Sequence, residues 1–423
     1  MTRAAMGGWA GLRGRRVGIW GTGVEGRATL RRLEAEGIAP QCVVDGDSDL
    51  DLLAGCDVIV KSPGISPYAA PARDLLAQGV ELTGGLALWL EEARRDRVVC
   101  VTGTKGKSTT ASIAGALATG LGVRCLTGGN IGVPPWDPLA PAADWWIIET
   151  SSHQAYDLHV GPRVVAVTSL AQDHLVWHGG YDAYVRDKLS LCTQPGVEAV
   201  LVPAGDTELE AHATLLGGSV QRVPDADAAW VAALGLLGEH NRRNALLARA
   251  ALVALGVPGA EDDALAESAA ASYRPLRSRL THVGSVGGID FVDDSLSTNV
   301  LPTLAAVAAF PGRRVVLLVG GQDRGIDYAP LATGLAGRAD DLLVVTMPDN
   351  GQRIAASLAE HAPDVAVRAA SDLGSAVAAA YEAAGPGGVV LLSPAAPSFD
   401  HFRDYADRAD QFEAAMRALA GSA

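Results

Sequence analysis

Along the chain, short runs of consecutive apolar residues alternate with longer stretches whose apolar positions recur every three to four, and glycine-rich or polar loops stand at the junctions. Apolar runs of about four to eight residues bounded by such loops read as strands buried on both faces, and the longer stretches read as helices packed against them. The first series opens with "RVGIW", passes through a helical stretch and "CVVD" ending at Asp45, and continues with "DVIVK" into the Ser62-Pro63-Gly64 turn. It closes on "LEEARRDR", which reads as a charged linker over residues 91–97. A second series begins with "VVCVT" and carries "DWWII" and "VVAVT"; a third carries "GIDFV", "RRVVLLV", "DLLVVTM" and "GGVVLL". Each run feeds a polar loop and then a helix, the pattern of doubly wound α/β folds. The expectation is an α/β protein of three domains: a Rossmann-like N-terminal domain over 1–95, a central P-loop domain with a mostly parallel sheet over 96–275, and a Rossmann-like C-terminal domain over 276–423, with mobile hinges near both boundaries.

Composition narrows the class. With 423 residues the chain has room for several domains, each with its own core. Hydrophobic residues make up 48% and charged residues 19%, as in ordinary globular proteins, and no apolar run reaches the roughly 18 residues of a membrane span. The first twenty residues lack the apolar core of a secretory signal, so the protein is expected in the cytoplasm, away from membranes. A net charge of -14 argues against a nucleic-acid-binding surface. Cys42, Cys56, Cys100, Cys125 and Cys192 are scattered, odd in number and never spaced C-x-x-C, which fits reduced buried thiols rather than disulfides or a zinc site.

Candidate chemistry collects at the ends of the apolar runs. Gly103-Thr104-Lys105-Gly106-Lys107-Ser108-Thr109 follows "VVCVT" and opens a helix, the context in which backbone N–H groups and a helix N-terminus cradle phosphates. Lys107 would reach the outer phosphates and the Ser108 hydroxyl would meet Mg2+. The pattern is a variant, because Val101 stands where the usual P-loop has its first glycine. Glu149, Asp173 and His174 end apolar runs of the same series, where carboxylate and imidazole groups gather beside the loop. Lys188, on a helical stretch, reads by itself as a surface lysine. Asn241 and Asn244 stand near the start of a long amphipathic helix, as caps or as readers of an adenine edge. In the first series Gly21, Gly23 and Gly26 match G-x-G-x-x-G with Asp45 further on, which suits a nucleotide diphosphate or a plain tight turn.

In order along the chain stand GTKGKST, GGNIG, ETSSHQ, QDH, YxxxxxxK, GEHNRRNA, DDSxSTN, GGxDRG and SPxxxSFDxF. This ordered set resembles the Mur ligase family of peptidoglycan synthesis, most closely its glutamate-adding members, and the similarity covers nearly the whole chain, including GxGxEG and SPGIS. The resemblance implies an ATP-dependent amide ligase acting on UDP-N-acetylmuramoyl-L-alanine and glutamate through an acyl phosphate, probed by crowded anions that call for cations and Mg2+. It places Lys107, Ser108 and Glu149 at the triphosphate and first metal, His174 at a second Mg2+, and Asn130 near the γ-phosphate and acyl group. Asn241, Asn244, Arg279 and Asp294 match nucleotide-binding positions, so that adenosine would lie between the second and third blocks. Lys188 matches the family's carbamylated lysine, a fourth candidate metal ligand. Gly21, Gly23, Gly26, Asp45 and Ser62 would hold the UDP moiety, and Thr298, Arg324, Ser398 and Tyr405 match glutamate contacts. A monomer is expected. A P-loop switch or transport ATPase leaves the first block and the SPAAPSFD loop without a purpose, and a nicotinamide oxidoreductase leaves the phosphate loop unexplained. Folylpolyglutamate synthases lack the Rossmann-like first domain. The D-N-P-R loop of the diaminopimelate- and lysine-adding relatives and the four-cysteine ribbon of the lipid II amidating ones are both missing from this sequence.

One departure bears on the substrate. Ligases for D-glutamate usually read N-D-S-K-A-T-N in the third block, and here Asp293-Asp294-Ser295-Leu296-Ser297-Thr298-Asn299 puts leucine in place of the lysine. Losing a charged hydrogen bond there costs about 1 to 3 kcal/mol of anion binding unless the dicarboxylate lies differently. A sister group within the family adds L-glutamate, with a separate epimerase acting afterwards. The expectation is the L-specific version, with D-glutamate as the alternative.

Overall fold

The computed structural model describes residues 5–46, 49–398 and 401–420; Phe399 and Asp400 of the SPAAPSFD loop lie outside them. The chain forms two compact units, Met1–Leu234 with Arg243–Tyr273, and Gly235–Arg242 with Arg274–Ala423. Three sheets carry the α/β architecture, two in the first unit and one in the second.

The first sheet consists of β1 (Val17–Trp20), β2 (Cys42–Val44), β3 (Val58–Lys61) and β4 (Glu81–Thr83), all parallel in the order β2-β1-β3-β4. All four residues of β1 and of β3 are buried, as expected for strands covered on both faces. The helix Val24–Ala35 packs so tightly on the loop after β1 that a Cβ at Gly26 would lie 1.9 Å from the Gly21 carbonyl oxygen.

The second sheet, also parallel, comprises β5 (Val98–Thr102), β6 (Cys125–Gly129), β7 (Trp145–Glu149), β8 (Val164–Val167), β9 (Ala199–Pro203) and β10 (Val220–Val223) in the order β10-β9-β8-β5-β7-β6. The chain leaves β5 between β7 and β8, so the loop after β5 emerges at the point where strand order reverses, the usual ligand position in such sheets. Register sets Val101 of β5 beside Glu149 of β7 and Thr102 beside Val167 of β8.

The first two sheets share one core, in which Trp9, Leu12, Leu86 and Leu88 pack with Val98, Ile148, Leu158 and Tyr184. The charged segment expected as a linker is ordered. Glu91 and Glu92 end the apolar helix Gly85–Glu92, and Glu91 accepts hydrogen bonds from the amides of Met6 (3.1 Å) and Gly8 (2.7 Å). A 3-10 turn, Arg95–Arg97, then runs straight into β5. Glu91 thus holds the segment at Met6 and Gly8, and Ala93 packs half-buried against the shared core.

The third sheet lies in the second unit: β11 (Thr281–Val286), β12 (Ile289–Asp293), β13 (Val315–Gly321), β14 (Leu342–Asp349), β15 (Ala366–Ala369) and β16 (Val389–Leu392), ordered β11-β12-β16-β13-β14-β15. Only β11 runs antiparallel to its neighbour. Of the five cysteines, Cys56, Cys100 and Cys192 are buried and Cys42 and Cys125 half-buried, all as free thiols. Among the described residues no helix is long and apolar enough to cross a membrane.

Candidate active site

The loop after β5 is built for close approach. Val101 lies inside the strand, so the turn spans only residues 103–106 before the helix Lys107–Gly120 begins. Gly103 takes φ +130, and a Cβ there would lie 2.1 Å from Thr168 Oγ1. Gly106 takes φ +89, and its Cβ would lie 2.5 Å from Asn244 Oδ1. The Thr104 hydroxyl meets the Tyr184 hydroxyl at 2.7 Å, the Lys105 amide donates to Ser169 Oγ, and Lys107 Nζ donates to the Thr104 carbonyl at 3.1 Å. Ser108 and Thr109, in the first turn of the helix, are buried. Gly106→Ala should therefore weaken nucleotide binding about tenfold, since left-handed backbone costs an L-residue about 1 to 2 kcal/mol and Asn244 must also move. ATP titration of the variant checks this, and unchanged affinity would contradict it.

The strand ends bring acids and imidazoles to the loop. Glu149, 1% exposed at the end of β7, accepts a 2.7 Å hydrogen bond on Oε1 from Asn130 Nδ2, while its buried Oε2 has no partner. A buried carboxylate oxygen without a donor fits a cation beside a triphosphate. Among the described residues no group of three or more His, Cys, Asp or Glu side chains is placed to hold a metal ion.

Asp173 lies 3.2 Å from Lys105 Nζ; burial pushes its carboxyl up, but Lys105 and His174 outweigh that and hold it below the usual range. His174, at φ +49, keeps a half-exposed side chain, and burial lowers its imidazole with Asp173 opposing. Its ring stands 4.7 Å from that of His153, whose basicity burial and the neighbouring cationic groups push down to about 3.

Lys188 departs from the surface lysine that its helix position suggests. It is 2% exposed, and its Nζ donates to the Gly103 carbonyl at 2.8 Å. Burial, helped by Lys107, drives its amine well below the ordinary lysine range. Asn244 sits against the phosphate loop, whereas Asn241 falls in the second unit and donates to the Leu237 carbonyl at 2.9 Å.

In the first block a Cβ on Gly21 would lie 2.4 Å from Ser62 Oγ, so the glycine loop and the Ser-Pro-Gly turn are in contact. Asp45 Oδ1 accepts from the Thr22 amide at 3.0 Å, tying the end of β2 to that loop; Gly23 precedes the helix as its N-terminal cap residue.

In the second unit Asp293 and Asp294 hold a turn around Arg279. Asp293 accepts from Ser278 Oγ, Asp294 Oδ1 from the Leu280 amide and Asp294 Oδ2 from Ser393 Oγ, while Ser278 and Leu280 take φ +61 and +52. Burial raises the Asp294 carboxyl to about 7. The folded state thus keeps a proton that the unfolded chain releases near the ordinary aspartate value of 3.8, so stability from this group falls as pH rises from there to about 7. Thermal melts should show wild type losing several degrees relative to Asp294→Asn between about pH 5 and pH 8; parallel pH profiles would contradict this.

Ser398 is buried, Thr298 and Arg324 are exposed, and Tyr405 opens the helix Tyr405–Ala420. The loops that carry them meet at Arg408, which the sequence reading passed over. This fully buried guanidinium donates to the carbonyls of Ser295 (2.7 Å) and Ala396 (3.1 Å), and burial lowers it to about 10. Also missed were Lys61, Tyr68, Ser152, His178 and Asp187 in the first unit, for which spacing along the chain carries no signal.

A strand, glycine loop and helix with lysines at the loop and a buried carboxylate at the adjacent strand end define a nucleotide-binding α/β enzyme. Residues 101–216 match the model of the Mur ligase middle domain, and residues 278–396 that of the Mur ligase glutamate ligase domain. The chain is 40% identical to the UDP-N-acetylmuramoyl-L-alanine--L-glutamate ligase of a Micromonospora species, over 97% of this chain and 98% of the relative. It is likewise 40% identical to the ligase of the same name from Xanthomonas axonopodis pv. citri, over 95% of each. Among solved structures the fold resembles MurC of Thermotoga maritima (TM-score 0.59, 18% identity, 96% of this chain and 99% of that one) and MurF of Acinetobacter baumannii (TM-score 0.56, 16% identity, 88% and 92%). The chain belongs to the Mur ligase family, whose members are ATP-dependent ligases.

Proposed function

We propose that the protein joins L-glutamate to UDP-N-acetylmuramoyl-L-alanine at the expense of ATP, in cytoplasmic peptidoglycan precursor synthesis. The observation that carries this reading is the 40% identity, over nearly the full length of both chains, to ligases named for that reaction. In the first step the alanyl carboxylate attacks the γ-phosphorus, forming an acyl phosphate and releasing ADP. In the second, the glutamate amine attacks the acyl carbon, phosphate leaves, and the amine loses a proton as the amide forms.

Both steps crowd anions together, so the residues at the loop act chiefly by charge and placement. Lys107 and the amides of residues 103–109 hold the triphosphate, and Asn130 orients Glu149 through its side-chain amide. Glu149, Ser108, His174 and a carbamylated Lys188 are the residues that would hold Mg2+, which when bound offsets negative charge on the phosphates. Asn241, Asn244, Arg279 and Asp294 serve the nucleotide, Gly21, Gly23, Gly26, Asp45 and Ser62 the UDP group, and Thr298, Arg324, Ser398 and Tyr405 the glutamate. The three-domain division at about 95 and 275, a monomeric state and an epimerase that inverts the product belong to the same reading.

Preference for L-glutamate is supported by Leu296, which puts no cation in the loop after β12. Phosphate release from ATP and UDP-N-acetylmuramoyl-L-alanine should be brisk with L-glutamate and slower by tenfold or more, on the order of one lost charged contact, with D-glutamate. Preference for D-glutamate would overturn the stereochemical part, and no release with either would overturn the ligase reading.

A further inference from the structure

Four hydrogen-bonding contacts tie the end of β3 and the turn after it to the helix Ser152–Asp157 and to the segment following His174. Lys61 Nζ lies 2.8 Å from Asp157, with both side chains at 3% exposure or less. Ser66 Oγ donates to the Trp177 carbonyl at 2.6 Å, and Trp177 Nε1 donates to the Gly64 carbonyl at 3.1 Å. The Tyr68 hydroxyl stands 3.0 Å from both carboxylate oxygens of Asp187.

Asp187 is the entry to a buried chain of bonds. Its Oδ2 lies 2.6 Å from Nδ1 of His178, whose side chain is wholly buried, and His178 Nε2 lies 2.9 Å from Ser152 Oγ. The order Ser, His, Asp is that of a hydrolytic triad, but Ser152 is 2% exposed and its hydroxyl is enclosed, so it has no route to a substrate carbonyl. What the bonds do is join two backbones. Ser152 opens the helix Ser152–Asp157, three residues beyond Glu149, and Asp187 precedes Lys188 on the helix Tyr181–Leu189.

We propose that His178 is a positioning residue of the ligase reaction, set between Asp187 and Ser152 and reached through Asp187 by Tyr68, so that docking of the first block registers Lys188 and Glu149 at the phosphate loop. The proposal rests on the assignment of that loop as the reacting centre. Both ring nitrogens of His178 are engaged, so the ring spans the two segments at a fixed separation. Tyr68 is 42% exposed, so losing its hydroxyl removes one end of the chain of bonds without opening a cavity in the core.

The test is a double-mutant cycle with Tyr68→Phe and His178→Asn, in which asparagine retains a donor toward Asp187 and loses the bond to Ser152. Turnover with UDP-N-acetylmuramoyl-L-alanine, the affinity for ATP alone and the melting midpoint are measured for each variant. Tyr68→Phe is expected to lower kcat about fivefold or more with ATP affinity and melting unchanged, a split that a merely structural contact would not give. The double variant is expected to be no slower than His178→Asn, because both break one chain of bonds. Amide hydrogen exchange in residues 181–189 is expected to quicken in Tyr68→Phe, and it reads the linkage without turnover. Wild-type kcat in Tyr68→Phe, losses that multiply in the double variant, or unchanged exchange would each overturn the relay. Wild type without any turnover on the UDP substrate would overturn the functional reading instead, and the exchange measurement would then decide the relay.

Discussion

Glu149→Gln should lower phosphate release by about a hundredfold to a thousandfold while leaving the folded protein as stable as before. The glutamine oxygen can keep the 2.7 Å bond from Asn130, and the amide NH2 takes the place of the carboxylate oxygen that has no partner. A buried carboxylate with one unsatisfied oxygen is costly to hold, so neutralising it should not lower the melting midpoint. Activity requires the opposite of stability here. The negative charge is needed to hold a cation against the triphosphate, and removing such an electrostatic contact costs about 10² to 10³ in rate. Phosphate-release assays at saturating ATP and Mg2+, with a thermal melt of the same sample, check both halves. Near-wild-type turnover would remove Glu149 from the site, and a large fall in the melting midpoint would show a structural carboxylate.

Lys188→Ala should lose activity to a similar extent, about a hundredfold or more, and short carboxylic acids in solution should restore part of it. Burial lowers the hold of the Lys188 amine on its proton, and the uncharged form is the one nucleophilic toward CO2; its nitrogen bonds to the carbon, a proton leaves, and the product is a carbamate anion. Lys107 and Lys105 disfavour a further ammonium at this position and would favour an anion, with Asp173 and Glu149 opposing them. Rescue by small amines and none by carboxylates would establish a cationic role. Lys188→Met gives a stability readout of the same burial. A lowered amine binds its proton less tightly in the folded state than in the unfolded chain, so wild-type stability should rise as pH climbs toward the ordinary lysine value of 10.5, and the methionine variant should lack that rise.

Much of this molecule was legible from pattern alone because buried parallel strands leave an unmistakable trace. The runs at Val17, Val58, Val98, Trp145, Val164, Val315 and Val389 all became strands. Others were not separately legible, among them the edge strands β10 and β15, since "VQRV" and "AVRA" face solvent and need no apolar run. The phosphate loop was legible because its chemistry is local: the glycines, lysines and serine that form it are consecutive.

By itself, then, the sequence determined the α/β class, the phosphate loop and the residue types waiting at strand ends, since strand burial and loop conformation are dictated by neighbours in the chain. Tertiary structure alone decided what those residues experience. It buried Lys188 against the Gly103 carbonyl, left one Glu149 oxygen without a donor, ordered the supposed linker at Glu91, and joined Tyr68, Asp187, His178 and Ser152 across 119 positions of chain. Desolvation and hydrogen bonding depend on which distant segments come together, and that is set only when the sheets pack.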